Sequence, residues 1–263
     1  MADPALLFPP PAVETDSFMV MTDREAIVGA ATDYVESYLD GDAVRMTSCL
    51  HPRLAKRRAD DHEARTSGLI EAPFEYMMTE AVAGGPKDLG REVEITILDV
   101  VDGIATAKVI SEPFVDLLHL ARFGDRWLIV NALWERRPDA DGPGDSAAVG
   151  RPLDDHSRSW FDRDVEAVRR AVHPSLAERR VVDGASGALD LDENTFEELL
   201  EIVSEGPDQP VERAWDAEVL DVSGDIASGK VTAAWWDIYL HLARFADRWM
   251  IVNILYRTRG DPA

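Results

Sequence analysis

The stretch Leu118–Asn131, LHLARFGDRWLIVN, returns as Leu240–Asn253, LHLARFADRWMIVN, 122 residues further along the chain. The same offset carries His51-Pro52 onto His173-Pro174, Asp42 onto Asp164, Arg57-Arg58 onto Arg179-Arg180, Phe74 onto Phe196, Leu98-Asp99-Val100 onto Leu220-Asp221-Val222 and Lys108-Val109 onto Lys230-Val231. Solenoid units run to roughly 20–50 residues, so a period of 122 residues is that of a small domain in tandem duplicate. The repeat places a first domain over 22–137 and a second over 146–259, behind an N-terminal arm of 1–21. Between them 138–145, Pro-Asp-Ala-Asp-Gly-Pro-Gly-Asp, has the composition of a short polar linker.

Within the first copy the periodicity changes once. Thr22-Asp23-Arg24-Glu25 has the form of a capping box, and Ile27, Ala31, Tyr34, Val35 and Tyr38 follow at helical spacing, which predicts a helix over 23–39 stopped by Gly41. Asp42 caps a second helix through Leu50, ended by His51-Pro52, and a third covers 72–83. From there the period is two: strands over 92–101, 104–111, 114–123 and 126–135, turned by Asp102-Gly103 and Gly124-Asp125. Helices followed by an antiparallel meander make an α+β fold in each half.

The quoted stretch is then the last hairpin. With Gly124-Asp125 at its tip, Phe123 opposes Arg126, Ala121 opposes Leu128 and His119 opposes Val130. His119, Ala121, Phe123, Leu128, Val130, Ala132 and Trp134 share one face; Leu118, Leu120, Arg122, Trp127, Ile129 and Asn131 share the other. Both faces are mostly apolar and both need cover. The helices are expected to cover the first. The other copy's sheet is expected to cover the second, so that the faces bearing Trp127 and Trp249 meet as an intrachain pseudo-dimer.

Composition narrows the partners. The 263 residues, 46% hydrophobic, suffice for two cores, and a net charge of −23 from 50 acids against 27 bases argues against nucleic acid or an anionic membrane as partner. A single Cys49 excludes an internal disulfide and suits a reducing compartment. The opening MADPALLFPPPAVETD lacks a basic region and is broken by prolines, unlike a signal peptide or membrane span, and a cytoplasmic protein is expected. The six histidines show no HxH or HExxH spacing, and neither GxSxG nor a glycine-rich phosphate loop occurs, so no metal or cofactor is expected.

The run DYVESYLDGDAVRMTSCLHPRLAKR (33–57) together with VDLLHLARFGDRWLIVNALW (115–134) resembles the nuclear transport factor 2 superfamily, and most of all its branch labelled "putative lumazine-binding", close to the SnoaL-like group. The resemblance implies a cone-shaped domain with a pocket between sheet and helices. In ketosteroid isomerase, a relative in shape, a tyrosine of the first helix and an acid of the penultimate strand donate hydrogen bonds to an enolate oxygen. Tyr34, ahead of Gly41-Asp42, matches that tyrosine; His119 stands at the place of the acid, before Arg122-Phe123, and Trp134 at that of a terminal tryptophan. The isomerase's general-base aspartate would fall near Arg58, where no carboxylate stands, leaving only Asp60 or Asp61 as substitutes.

Each residue also has a plainer reading. His119 is either hydrogen-bonded core or a pocket anchor, Tyr34 either packing or a donor, Arg57-Arg58 either solvated surface or a clamp for an anion, and Lys108 and Lys230 charges at a sheet edge. In the second copy His156 replaces Tyr34, Trp160 replaces Tyr38, and Pro113-Phe114 becomes Trp235-Trp236. One more residue separates Asp237 from His241 than Asp116 from His119, predicting a bulge or a slip of register there, and Pro152 is expected in the first turn of its helix. Two functions follow from different classes. One is a protein that binds an aromatic or polycyclic small molecule against Tyr38, Arg58, Phe123 and Trp134, or against Trp160 and Trp236. The other is an isomerase, dehydratase or cyclase using Tyr34 and His119, or His156 and His241, on a carbonyl compound.

Overall fold

The computed structural model describes residues 22–59, 68–84, 88–112, 114–136, 145–183, 189–207 and 212–259; the expected arm 1–21, most of the linker, and Asp60, Asp61 and Pro113 lie outside them. In the first half α1 (Asp23–Asp40) begins at the Thr22/Glu25 capping box and stops at Gly41, where φ is 70°. A Cβ on Gly41 would stand 2.7 Å from the Gly84 backbone, so this turn excludes any side chain. Asp42 caps α2 (Ala43–Cys49) by accepting from the Arg45 amide at 3.0 Å. There follow β1 (Leu50–Ala59), β2 (Leu69–Glu71), α3 (Phe74–Val82), β3 (Val93–Val101), β4 (Ile104–Ser111), β5 (Phe114–Phe123) and β6 (Arg126–Arg136).

The second half repeats this order as α4 (Ser146–Asp162), α5 (Val165–Ala171), β7 (Val172–Asp183), β8 (Leu189–Asn194), α6 (Phe196–Glu205), β9 (Trp215–Ser223), β10 (Ile226–Ala233), β11 (Trp236–Phe245) and β12 (Arg248–Thr258). Each half is thus an α+β domain with helices packed on one face of a six-stranded sheet, in the orders β2-β1-β6-β5-β4-β3 and β8-β7-β12-β11-β10-β9.

Four local expectations are corrected. His51-Pro52 does not merely end a helix: it opens β1, which pairs in parallel with β6, and so the sheet is mixed rather than a pure meander. Pro52 lies where the register shifts between Leu50 and Ala55, a place that needs no ladder donor. Pro152 lies well inside α4, buried, where its missing N–H leaves the Ala148 carbonyl without its helical donor. The spacing between Asp237 and His241 produces no bulge, because β10 and β11 stay in register from Ile226↔Ala243 to Thr232↔Asp237. The bulge lies elsewhere, and in both copies: Leu120 pairs with Ile129 but His119 with Asn131, and Leu242 pairs with Ile251 but His241 with Asn253.

That extra residue, Val130 or Val252, reverses the facing of everything after it. Ala132 joins Leu118, Leu120, Trp127 and Ile129 in the core under the helices, while Val130 packs with Ala121 and, across the chain, Tyr239 and Leu255. The faces bearing Trp127 and Trp249 therefore do not meet. Both indoles are in helix-side cores, Trp127 donating to Asp23 at 3.1 Å. The faces that meet are those of His119 and His241.

The contact between the sheets has approximate two-fold symmetry. Equivalent residues touch on its axis: Thr106 and Ser228 hydroxyls are 3.1 Å apart, and the His119 and His241 rings stack with centroids 3.4 Å apart. Off the axis the contacts come in reciprocal pairs. Lys108 donates to Asp221 at 2.9 Å and Lys230 to Asp99; Arg57 donates to the Ser175 carbonyl and Arg179 to the Arg53 carbonyl at 2.6 Å. Lys108 and Lys230 are thus not edge charges, and Arg57 is not solvated surface: they span the buried interface between domains. Around them Val115, Leu117, Leu133, Ile226, Ala243, Phe245, Met250 and Val252 form an apolar layer from both halves.

Both central histidines have Nδ1 next to an asparagine amide, at 3.2 Å from Asn131 and 3.3 Å from Asn253, and Nε2 buried without a partner. Burial holds His241 down at about 3 and His119 well below the usual imidazole range, the neighbouring ring adding to the effect on His119. A histidine so depressed contributes stability that is full above about pH 6.5 and is lost as the pH falls toward the folded value. His51 and His156, held at about 4 by burial, share that dependence. Chemical denaturation of His241→Leu across pH 6 to 4 should therefore show a slope shallower than wild type by about 1.4 kcal/mol per pH unit, one proton's worth. An unchanged slope would mean that this ring is already charged in the folded protein.

Candidate functional site

The buried stripe of α1, with Ile27, Ala31 and Tyr34, lies on the sheet. Strand alternation that turns Leu118 and Leu120 toward the helices turns Asp116 the same way, and past the bulge Trp134 does likewise. From β1, Lys56 reaches the same place. Together they form the polar end of a cavity of about 130 Å³, walled by Tyr38, Met77, Phe114 and Trp134 and partly open to solvent past Tyr76, which is 51% exposed.

The three polar groups bond to one another. The Tyr34 hydroxyl donates to Asp116 Oδ1 at 2.7 Å, and Lys56 Nζ donates to the same oxygen at 3.0 Å and to the Tyr34 hydroxyl oxygen. The Lys56 ammonium also lies 4.8 Å from the centre of the Tyr34 ring and 5.2 Å from that of Trp134, within the range of cation–π attraction. Burial, and after it the Asp116 charge, push the Tyr34 hydroxyl well above the usual phenol range. Tyr34 is accordingly a fixed donor rather than an acid. Asp116 is a carboxylate held between an ammonium and a hydroxyl.

Of the residues singled out in the sequence, Tyr34, Tyr38 and Trp134 line this cavity, and Arg58 lies over the Trp134 ring at 5.3 Å without lining it. His119 and Phe123 are elsewhere. His119 stacks on His241, and Phe123 stacks on His51 at 4.9 Å beside the interface. The pairing of Tyr34 with His119 does not form, because the helices cover the face of Leu118, Leu120 and Trp127 rather than that of His119, and the Val130 bulge brings only Trp134 over to the helix side. His156, Trp160 and Trp236 line a corresponding cavity of about 110 Å³ in the second half, and His241 is absent from it for the same reason.

Sequence reasoning missed Asp116 and Lys56. Asp116 was legible once Leu118 and Leu120 are read as inward-facing, since it is two residues earlier on the same strand. Lys56 was not, because its place in the sheet is set by the pairing of its strand with β6, far along the chain. Among the described residues, no group of three His, Cys, Asp or Glu side chains is placed to hold a metal ion, and no helix is long and apolar enough to cross a membrane.

The Lys56–Asp116 pair is nearly sealed, with side-chain exposures of 12% and 6%. Removing one partner of such a pair leaves a buried charge, at roughly 3–5 kcal/mol, while removing a hydroxyl donor costs about 1–2 kcal/mol. Lys56→Met should therefore lower unfolding free energy by more than Tyr34→Phe, and Lys56→Met combined with Asp116→Leu should recover most of that loss. Urea denaturation of the three variants checks this; equal losses for both single changes would contradict it.

The family described as "Putative lumazine-binding" matches residues 22–135 and again 144–257. Among solved structures, a nuclear transport factor 2-like protein of unknown function from Silicibacter pomeroyi is 23% identical, covering 43% of this chain and 94% of that one, with a TM-score of 0.38. A similar protein of unknown function from Shewanella baltica is 18% identical over 44% of this chain and 94% of its own, TM-score 0.36. A ketosteroid isomerase-like protein from Erwinia carotovora atroseptica is 16% identical over 45% and 99%, TM-score 0.33. No curated protein matches the chain.

Proposed function

This chain belongs to the family described as "Putative lumazine-binding", and from that premise we propose that its first half binds a small ring compound carrying an oxygen acceptor or a negative charge. The observation that carries this reading is the meeting of Lys56 and Tyr34 at the closed end of an aromatic cavity. Lys56 has three N–H donors and the cluster engages two of its directions, so a third remains for a ligand. Trp134, Tyr38 and Phe114 supply ring faces around it. A cavity of ~150 Å³ accommodates a benzene-sized guest. At about 130 Å³ this one takes a single ring, and a fused second ring would extend past Tyr76 toward solvent.

Binding is favoured over the isomerase, dehydratase or cyclase reading. Proton abstraction needs a carboxylate or imidazole with a free lone pair aimed at the substrate. Asp116 is drawn through Oδ1 into its bonds with Tyr34 and Lys56, and the His119 imidazole lies beyond the sheet, stacked on His241. The cluster is suited to hold an acceptor rather than to take a proton from carbon.

Calorimetric titration of benzoate, benzamide and lumazine into the full chain tests the reading. Benzoate or lumazine should bind, and Tyr34→Phe, which removes the hydroxyl that fixes Lys56 in place, should weaken the bound member by about 1 kcal/mol, the worth of one hydrogen bond. Lys56→Met should weaken benzoate more than benzamide. Affinity untouched by both substitutions would remove this cavity as the site.

A further inference from the structure

The duplication did not copy the polar cluster. At the positions of Tyr34, Tyr38, Lys56, Asp116 and Trp134 the second half has His156, Trp160, Glu178, Ile238 and Tyr256, and all five line its cavity. Lysine has become glutamate and the aspartate has become isoleucine, so the fixed cation of the first cavity is replaced by a carboxyl group. Among the described residues, no lysine or arginine lines the second cavity.

Two acceptors there lack partners. Glu178 is 7% exposed with Oε2 buried and unbonded, and the Nδ1 of His156 is likewise buried and unbonded. A buried polar atom without a partner costs about 1–3 kcal/mol, a cost that a donor-bearing ligand relieves. Trp160 and Trp236 meet edge to face with centroids 4.9 Å apart, and Tyr256 adds a third ring. Aromatic rings beside a carboxylate are the arrangement that attracts an organic cation.

We propose that the second cavity is a separate binding site for a small organic cation, an aromatic ring bearing an amine or amidine nitrogen, held by Glu178 and His156 between Trp160, Trp236 and Tyr256. A nitrogen with several N–H groups satisfies Glu178 Oε2 and the imidazole lone pair at once. The cavity of about 110 Å³ limits the guest to one ring. The groups facing Glu178 set its proton affinity. Burial raises it to about 7, opposed by a bond from Asn194 on β8 and the charge of Arg180 on β7, while Glu198 on α6 raises it further. His156 on α4 is held at about 4 by burial and stays neutral, and burial raises Tyr256 on β12 to about 12. The proton that leaves Glu178 when a cation arrives goes to the buffer.

The experiment is calorimetric titration of benzamidinium chloride into the full chain at pH 7, in buffers of contrasting ionisation enthalpy. The double variant Lys56→Met, Asp116→Leu serves as the background, so that the first cavity offers neither an ammonium nor an unpaired carboxylate. Benzamidinium should bind with release of about half a proton, benzoate should not bind, and Glu178→Gln should weaken benzamidinium by at least about tenfold. Trp236→Leu, which leaves the carboxyl in place, should weaken it also and serves if Glu178→Gln does not fold. No benzamidinium binding at about 10 mM, equal affinity in Glu178→Gln or in a folded Trp236→Leu, or benzoate binding as well as benzamidinium would each overturn the proposal.

Discussion

Everything in this protein depends on one surface that no single copy can cover. In each half the helices bury one face of the sheet, and the other face, with Leu117, Ala121, Val130 and Leu133 or their counterparts, is as apolar as the first. A soluble domain cannot leave such a face to water. The two faces therefore cover each other, and the covalent repeat makes that meeting intramolecular, at an effective concentration no separate subunit needs to match. Residues on the axis meet their own equivalents, which is why Thr106 finds Ser228 and His119 finds His241. Two neutral imidazoles stack where two charged ones could not, and burial keeps them neutral.

This constraint explains which parts of the repeat stayed alike. LHLARF and the following strand are nearly identical in both copies because each must fit the other across the axis, and a change in one changes both sides of the contact. The cavity linings on the helix side diverged most in chemistry, while the interface accepted a few exchanges such as Leu117 for Tyr239. Lys56 and Glu178, Asp116 and Ile238, Tyr34 and His156 are equivalent in place and unlike in chemistry, and nothing across the interface restrains them. The conserved spelling of the hairpin is thus a record of packing, and the chemistry sits in what the repeat failed to preserve.

Much of the architecture was legible in the sequence because its signals are local. The capping box at Thr22, the stop at Gly41, the Asp102-Gly103 and Gly124-Asp125 turns and the constant offset each name a structure within a few residues or by simple repetition. The errors came from non-local causes. LHPRLAKRRA is poor in β-branched residues and becomes a strand between two partners, β2 on one edge and β6, some seventy residues later, on the other. The bulge at Val130 has no glycine or proline to announce it, in a run LIVNALW that reads as uninterrupted strand. A single uncounted residue then reversed the facing of Trp134 relative to His119. Trp134 and Tyr34 line the cavity, and the company they keep, Lys56 and Asp116, could be named only from the three-dimensional pairing.

The central claim is that the repeated histidine is a packing element sealed between the two sheets, while the polar cavities lie beyond the sheets on the helix sides. Nitrogen-15 spectra of the imidazole rings, followed from pH 7 to 4 with and without bound benzoate or benzamidinium, test it most directly. His119 and His241 should stay neutral throughout while the protein is folded, and neither ring should respond to either ligand. Ordinary titration of His119 near pH 6.5, or a shift of its ring nitrogens when ligand binds, would contradict it and return His119 to a solvent-accessible site.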